Sequence, residues 1–139
     1  MVACGFWSYR RLFQGHLDLG TDHLVFALTY AVLGSALPDE LLFRGLLMTS
    51  LDGRTTRWFR VALPALIFTA VRGLRFLPGA EMTSGAWLEW VFGTVLPLGL
   101  WWGLMRDLAG GSLWPGLVSH ALLEFGTRLA GAPLYGRSP

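Results

Sequence analysis

The chain is short and strongly apolar. Of its 139 residues, 53% are hydrophobic and 14% are charged, and this charged share is about half of that usual in soluble domains. The length fits one domain, which is too small to hide seven tryptophans and nine phenylalanines from water. The net charge of +2 is too low to predict a nucleic-acid partner. A single cysteine, Cys4, excludes an intrachain disulfide and a cysteine-rich metal site.

The first twenty residues mix aromatic side chains with Arg10, Arg11, His16 and Asp18. This composition is typical of a segment in the membrane interface. The arginine pair follows a short apolar start, and no cleavage pattern comes after it, so a secretory signal is not expected. We predict an interfacial N-terminal segment over residues 1–20.

Residues 21–51 are apolar apart from a charged group at their centre. Their two apolar runs, 24–37 and 41–51, are each shorter than the ~20 residues of a spanning helix, but together they exceed that length. We predict one long helix kinked at Pro38, because a proline removes a backbone donor and its ring clashes with the preceding turn. Two half-length helices are the alternative.

The rest of the chain contains three further apolar segments that predict helices, over residues 58–77, 86–105 and 113–129. A basic loop at 52–60 and a loose tail at 131–139 flank them. The predicted fold class is all-α, a polytopic membrane bundle of about four spanning helices over residues 21–130. Four arginines lie in two loops that can share the cytoplasmic side: Arg54, Arg57, Arg60 and Arg106.

Charged side chains inside the predicted helices are the first sign of function. A charge at mid-membrane costs at least about 2.5–3.5 kcal/mol on insertion scales, so it is normally paired, functional or both. Glu40 and Arg44 are four residues apart and can pair on one helix face, whereas Asp39 must find another partner. The pair alone is explained equally well as helix stabilisation.

Two other helices carry polar pairs at the same spacing: Phe68 with Arg72, and His120 with Glu124. Each has a structural explanation. Arg72 could extend toward lipid headgroups, His120 could be a hydrogen-bonded structural residue, and Glu124 could neutralise Arg128. Their joint occurrence on three helices instead predicts that they converge on one water-holding pocket.

These residues resemble the motifs of the CAAX-processing and bacteriocin-processing (CPBP, Abi) intramembrane endopeptidases. That family carries Glu-Glu-x-x-x-Arg, then Phe-x-x-x-His, then His-x-x-x-Asn or Asp. Residues 39–44, 68–72 and 120–124 stand at these motifs in the same order, the last after a Gly-Ser-Leu-Trp-Pro run. The resemblance covers about residues 37–126.

The resemblance implies cleavage of membrane-associated substrates near their C-terminus or leader. In the family, the first glutamate and the second-motif histidine are thought to activate water, and the third motif to hold the oxyanion. The implied catalytic residues here are Asp39, Glu40, Arg72, His120 and Glu124, with Arg44 and Phe68 as structural support.

Three of these positions depart from the family pattern. Asp39 is one methylene shorter than glutamate, a displacement of roughly 1.5 Å, and misplacement by about 1 Å can cost ~100-fold in rate. Arg72 replaces the second-motif histidine and cannot accept a proton. Glu124 places a carboxylate where the family has a neutral amide.

Two hypotheses follow. In the first, Asp39 or Glu124 is the general base on water, while His120 and Arg72 stabilise the oxyanion. In the second, Arg72 and Glu124 neutralise each other, and the protein is a non-catalytic membrane scaffold or immunity factor.

The same residues and the composition indicate which cofactors and partners to expect. One histidine near the pocket makes a tight zinc site improbable, which leaves weak divalent-metal binding open and no cofactor expected. The expected partners are the lipid bilayer and a membrane-embedded peptide or protein substrate. Since all eleven basic residues are arginine, the composition favours a bacterial protein, and hence a bacterial plasma membrane.

Overall fold

The computed structural model describes residues 20–75 and 83–129, and 87% of these residues are helical. They form four helices: α1 (Thr21–Ser50), α2 (Arg57–Arg75), α3 (Ser84–Leu108) and α4 (Trp114–Leu129). The predicted all-α fold class is confirmed. Most of the predicted interfacial segment and the whole predicted tail lie outside the described residues.

Helix α1 runs through Pro38 as one continuous helix, not as two half-length helices. Widened π-helical segments, Tyr30–Ala36 and Glu40–Leu47, lie on either side of the proline. Another, Val91–Val95, lies just before Pro97 in α3. A wider turn accommodates the proline ring and its missing N–H. The bend expected at Pro38 stays a prediction.

The π-helical segments also keep one face of α1 turned toward the bundle. In a regular α-helix, a step of four residues overshoots a full turn by about 40°, so a four-residue pattern would wind around the helix. Wider turns compensate for this drift. The buried residues of α1 follow steps of about four throughout: Ala27, Ala31, Ser35, Ala36, Glu40, Phe43, Arg44 and Met48.

The loop between α1 and α2 is shorter than predicted. Residues 57–60 belong to the first turn of α2, so the predicted loop over 52–60 was wrong at its end. Thr56 explains the earlier start, since its Oγ1 accepts a hydrogen bond from the Phe59 N–H at 3.4 Å, as an N-cap residue does.

Helices α2 and α3 approach closely at two glycines. A Cβ atom at Gly99 would lie 3.1 Å from Cδ1 of Phe68, and one at Gly103 would lie 3.2 Å from Cγ1 of Val61. The Gly-x-x-x-Gly spacing permits this approach, as in other membrane helix pairs. Helix α4 packs against the first half of α1 and against α3, so all four helices meet around Phe68.

The distribution of polarity is inverted relative to a water-soluble protein. Arg44, Glu40 and His120 are at most 1% exposed, whereas Trp58 and Trp114 are 69% and 71% exposed. Helices α1 and α3, with 30 and 25 residues, are long and apolar enough to cross a membrane. Helix α4 has 16 residues, which extend about 24 Å against a hydrocarbon core of about 30 Å. The number of spans therefore stays a prediction.

The loops that carry the basic residues lie at one end of the bundle. Asp107, at the end of α3, contacts Arg57 Nε at 2.6 Å and also pairs with Arg60 at the start of α2. Arg106 donates to Thr49 Oγ1 at 2.9 Å, and this bond links the end of α3 to the end of α1. The shared side expected for these arginines is thus present, and its cytoplasmic placement stays a prediction.

We expect the protein to sediment with membranes and to remain there after extraction with alkaline carbonate, because its exposed surface is rich in large apolar side chains. Fractionation and immunoblotting of cells that express the chain would measure this. Recovery of a monodisperse protein in the soluble fraction without detergent would contradict the prediction that these apolar side chains contact lipid.

Candidate active site

Three helices bring the motif residues together in the buried interior. Helix α1 supplies Asp39, Glu40 and Arg44, α2 supplies Phe68 and Arg72, and α4 supplies His120 and Glu124. Neighbouring members of this set are linked by ion-pair, hydrogen-bond or ring contacts. The predicted convergence is therefore present, whereas a water-holding pocket between these residues stays a prediction.

Arg44 is completely buried, and its contacts link its own helix to α2 and α3. Its NH1 lies 3.3 Å from Glu40 Oε1, and its NH2 donates to the Gly99 carbonyl oxygen at 3.0 Å. The guanidinium carbon lies 4.8 Å from the centre of the Phe68 ring, a distance suited to a cation–π interaction. These contacts offset the cost of burying the cation, and they fix α1 to α2 and α3.

His120 lies between an aromatic ring and a carboxylate. Its ring is stacked on Trp102 at a centroid distance of 3.9 Å and an interplanar angle of 15°, and Phe68 approaches it edge-on. Nδ1 lies 3.2 Å from Glu40 Oε1. Nε2 lies 3.9 Å from Glu124 Oε1, which is beyond hydrogen-bond distance.

Arg72 is buried and points into the site. Its NH2 donates to Asp39 Oδ2 and to Ser35 Oγ, the latter at 2.8 Å. Its NH1 lies 3.6 Å from Glu124 Oε1. The alternative in which Arg72 reaches toward lipid headgroups is therefore wrong.

The position of Arg128 also separates two explanations. Its guanidinium carbon lies 3.5 Å from the centre of the Tyr30 ring. Among the described residues, the arginine that pairs with Glu124 is Arg72. Neutralisation of Glu124 by Arg128 is therefore not the arrangement found.

Sequence reasoning missed three residues of the site. Ser35 holds Arg72, Trp102 supports His120, and Gly116 faces Glu40, where a Cβ atom would lie 2.8 Å from Oε2. Ser35 stands one helical turn before Asp39, and that spacing could have indicated it. Trp102 is one of seven tryptophans, and nothing in the pattern marked it out.

Across the described ranges, no group of three or more histidine, cysteine, aspartate or glutamate side chains is arranged to hold a metal ion.

Comparison with known proteins found one family model, described as Type II CAAX prenyl endopeptidase Rce1-like, which matches residues 21–126. The matched range contains every residue of the candidate site and confirms the resemblance drawn from the three motifs. No curated protein and no solved structure matches the chain significantly.

Removal of Arg72 should destabilise the protein more than removal of either of its partners. Arg72→Leu leaves the buried Glu124 and the part-buried Asp39 without their cation, and breaking a buried pair typically costs about 3–5 kcal/mol. Glu124→Leu leaves Arg72 bonded to Asp39 and should cost less. Thermal unfolding in detergent micelles would measure both effects.

Arg75→Leu is a matched control, because Arg75 is exposed on the same helix. The double variant Arg72→Leu with Glu124→Leu should recover only part of the loss, since Asp39 still lacks its partner. Adding Asp39→Leu should recover more. Equal stability of Arg72→Leu and Arg75→Leu would contradict the bridging role of Arg72.

Proposed function

The chain belongs to the Rce1-like family of type II CAAX prenyl endopeptidases, and on this premise we propose that it is an intramembrane endopeptidase. The proposed substrates are membrane-associated peptides or proteins, cut near their C-terminus or leader. The proposed location is the plasma membrane of a bacterium, with the exposed apolar side chains in contact with lipid.

The observation that supports this proposal best is the continuous set of ionisable groups inside the bundle, all of them buried except the part-exposed Asp39. Asp39, Arg72, Glu124, His120 and Glu40 follow one another at distances of up to 3.9 Å. Burying so many charges in an apolar bundle is costly, and ionisable groups at membrane depth usually serve transport or catalysis. Their match to the motifs of a protease family favours peptide hydrolysis.

Glu124 is the carboxylate that we propose to hold and polarise the attacking water. Asp39 is engaged by a direct hydrogen bond from Arg72, whereas Glu124 Oε1 lies 3.6 Å from Arg72 and 3.9 Å from His120 Nε2. Glu124 Oε1 and His120 Nε2 are too far apart to bond directly, and a water molecule beside them can hydrogen-bond to both. The water would then attack the peptide carbonyl of the substrate.

Arg72 is proposed to stabilise the oxyanion that forms on the attacked carbonyl. A guanidinium is a strong charge-assisted donor, and a preorganised donor in a water-poor site is worth far more than in water. Arg72 already faces the gap between Glu124 and His120 through its NH1. Arg72 would thus donate to the oxyanion, as the neutral amide of the third motif does in the family pattern.

The depth of the site suits substrates held in the membrane. Glu124 lies ten residues beyond the start of α4, about 15 Å from the basic end of the bundle. A peptide therefore has to enter the apolar layer to reach it, which favours lipid-anchored or helical substrates over soluble ones.

A second candidate function is a non-catalytic scaffold or immunity factor. The bridge from Arg72 to both Asp39 and Glu124 favours it, because a cation held between two carboxylates can fill a former pocket. In that case the site residues contribute to stability alone.

Cleavage assays should separate the two functions. We expect the purified protein in proteoliposomes to cleave at least one of three peptide classes: a prenylated C-terminal peptide, a leader peptide or an apolar C-terminal sorting segment. Glu124→Gln and His120→Ala should each reduce the rate at least about 100-fold, because the first loses the carboxylate that orients the water and the second loses the imidazole beside it. Mass spectrometry of the products would measure the rate and locate the cut.

Glu89→Gln is the matched control, because Glu89 is exposed and lies outside the site. It should leave the rate unchanged. Absence of cleavage for all three classes, together with a loss of stability in Glu124→Gln, would favour the scaffold.

A further inference from the structure

The hydrogen bond between His120 and Glu40 determines which nitrogen of the imidazole carries a proton. Nδ1 lies 3.2 Å from Glu40 Oε1, and an ionised carboxylate can only accept. The same Oε1 atom lies 3.3 Å from Arg44 NH1, and a guanidinium can only donate, so Oε1 serves as an acceptor. Nδ1 must then carry the hydrogen, so a neutral His120 has an unprotonated Nε2.

We propose that Glu40 is a positioning residue that holds His120 in this tautomer, so that Nε2 is the proton acceptor of the site. This inference rests on the proposed hydrolytic function and assigns its proton transfers. It differs from the role expected from the sequence, in which His120 donates to the oxyanion. An unprotonated Nε2 accepts from water and has no hydrogen to donate.

The protein holds Glu40 in place from two sides. Arg44 fixes Oε1, and Arg44 itself is fixed by the Gly99 carbonyl. On the other side, Oε2 faces Gly116 and has no hydrogen-bond partner among the described residues. A Cβ atom at position 116 would lie 2.8 Å from Oε2, so only glycine leaves the carboxylate where it is.

The ring of His120 is equally restrained. Trp102 stacks on one face, and the imidazole is 1% exposed. A flip of the ring would move Nδ1 away from Glu40 and break the bond between them. The unprotonated Nε2 therefore stays directed toward Glu124.

Charged groups from three helices surround His120. Helix α1 presents Asp39, Glu40 and Arg44, α2 presents Arg72, and α4 presents Glu124, while α3 contributes the uncharged Trp102. The carboxylates nearest to the imidazole are Glu40 at Nδ1 and Glu124 at Nε2. An imidazolium that forms during the reaction is stabilised by these two carboxylates, because their attraction is strong in a low-dielectric interior.

The proton transfers balance within this arrangement. Water attacks the peptide carbonyl carbon while one of its hydrogens passes to Nε2, and the oxyanion pairs with Arg72. The carbon–nitrogen bond then breaks, and Nε2 returns the proton to the leaving amine. Glu124 accepts the other hydrogen of the water as a hydrogen bond and keeps the nucleophile oriented.

The tautomer can be measured without any substrate. The chain has three histidines, so His16→Gln and His23→Gln leave His120 as the only ¹⁵N-histidine signal. We expect nitrogen shifts of an imidazole with a protonated Nδ1 and a bare Nε2 in lipid nanodiscs near neutral pH. An Nε2–H tautomer, or an imidazolium that persists to alkaline pH, would overturn the inference.

Gly116→Ala tests the positioning by Glu40 without removing a charge. The added methyl group must displace the carboxylate, and a displacement of about 1 Å is expected to lower kcat about 100-fold, with KM for a prenylated peptide nearly unchanged. Gly126→Ala on the same helix is the control, because its Cβ atom would meet nothing within 4 Å. A kcat for Gly116→Ala equal to that of Gly126→Ala would refute the role of Glu40.

The two measurements separate the failure of this inference from the failure of the proposed function. A bare Nε2 in a protein that cleaves no peptide class supports the assignment of the tautomer and rejects the protease. Cleavage by a protein whose Nε2 is protonated supports the protease and rejects His120 as the proton acceptor.

Discussion

The ion pair between Glu40 and Arg44 is the interaction on which the rest of the structure depends. Both side chains are at most 1% exposed, and in an apolar bundle neither charge is tolerable without the other. The pair draws contacts from every other helix: the Gly99 carbonyl of α3, the Phe68 ring of α2 and the His120 imidazole of α4. Two glycines make room for these contacts, Gly99 against Phe68 and Gly116 against Glu40.

The three departures from the family pattern are partners of one another. Arg72 stands where the family has histidine, and it contacts both Asp39 and Glu124. A longer cation at position 72 meets a shortened carboxylate at position 39, and a second carboxylate at position 124 lies on its other side. Considered one at a time, the changes at positions 39, 72 and 124 each remove a catalytic group of the family pattern. Considered together, the three side chains form one group linked by ion pairs. Ser35 completes this group by accepting a further hydrogen bond from Arg72.

Local spacing in the sequence predicted much of this arrangement. The four-residue interval between Glu40 and Arg44 predicted their pair, and the three motifs predicted that α1, α2 and α4 converge. Other contacts depend on helix packing, which no local pattern encodes. The partner of Asp39 lies 33 residues away on α2, and the indole that supports His120 comes from α3.

The π-helical segments of α1 were equally absent from the prediction. A proline predicts a disturbance in a helix, but whether the disturbance is a bend or a widened turn depends on what the helix packs against. In α1 the four-residue steps of the buried face require wider turns, and they occur over Tyr30–Ala36 and Glu40–Leu47. The predicted loop over 52–60 overlapped the start of α2 for a different reason, although the helix predicted over 58–77 began within one residue of it. The first arginines of α2 are polar enough to suggest a loop, although they pair with Asp52 and Asp107 from within the helix.

The charge balance of the site bears on which of the two functions fits better. A pocket that had been filled only for stability would be expected to be neutral, because an excess charge is costly in a low-dielectric interior. The site here has three carboxylates and two guanidinium groups, so their formal charges do not cancel, and Asp39 is its one part-exposed member. His120 lies between two of the carboxylates, with Nδ1 at 3.2 Å from Glu40 and Nε2 at 3.9 Å from Glu124. An imidazole can take up and release a proton, and hydrolysis of a peptide by water requires a group in this position that does so.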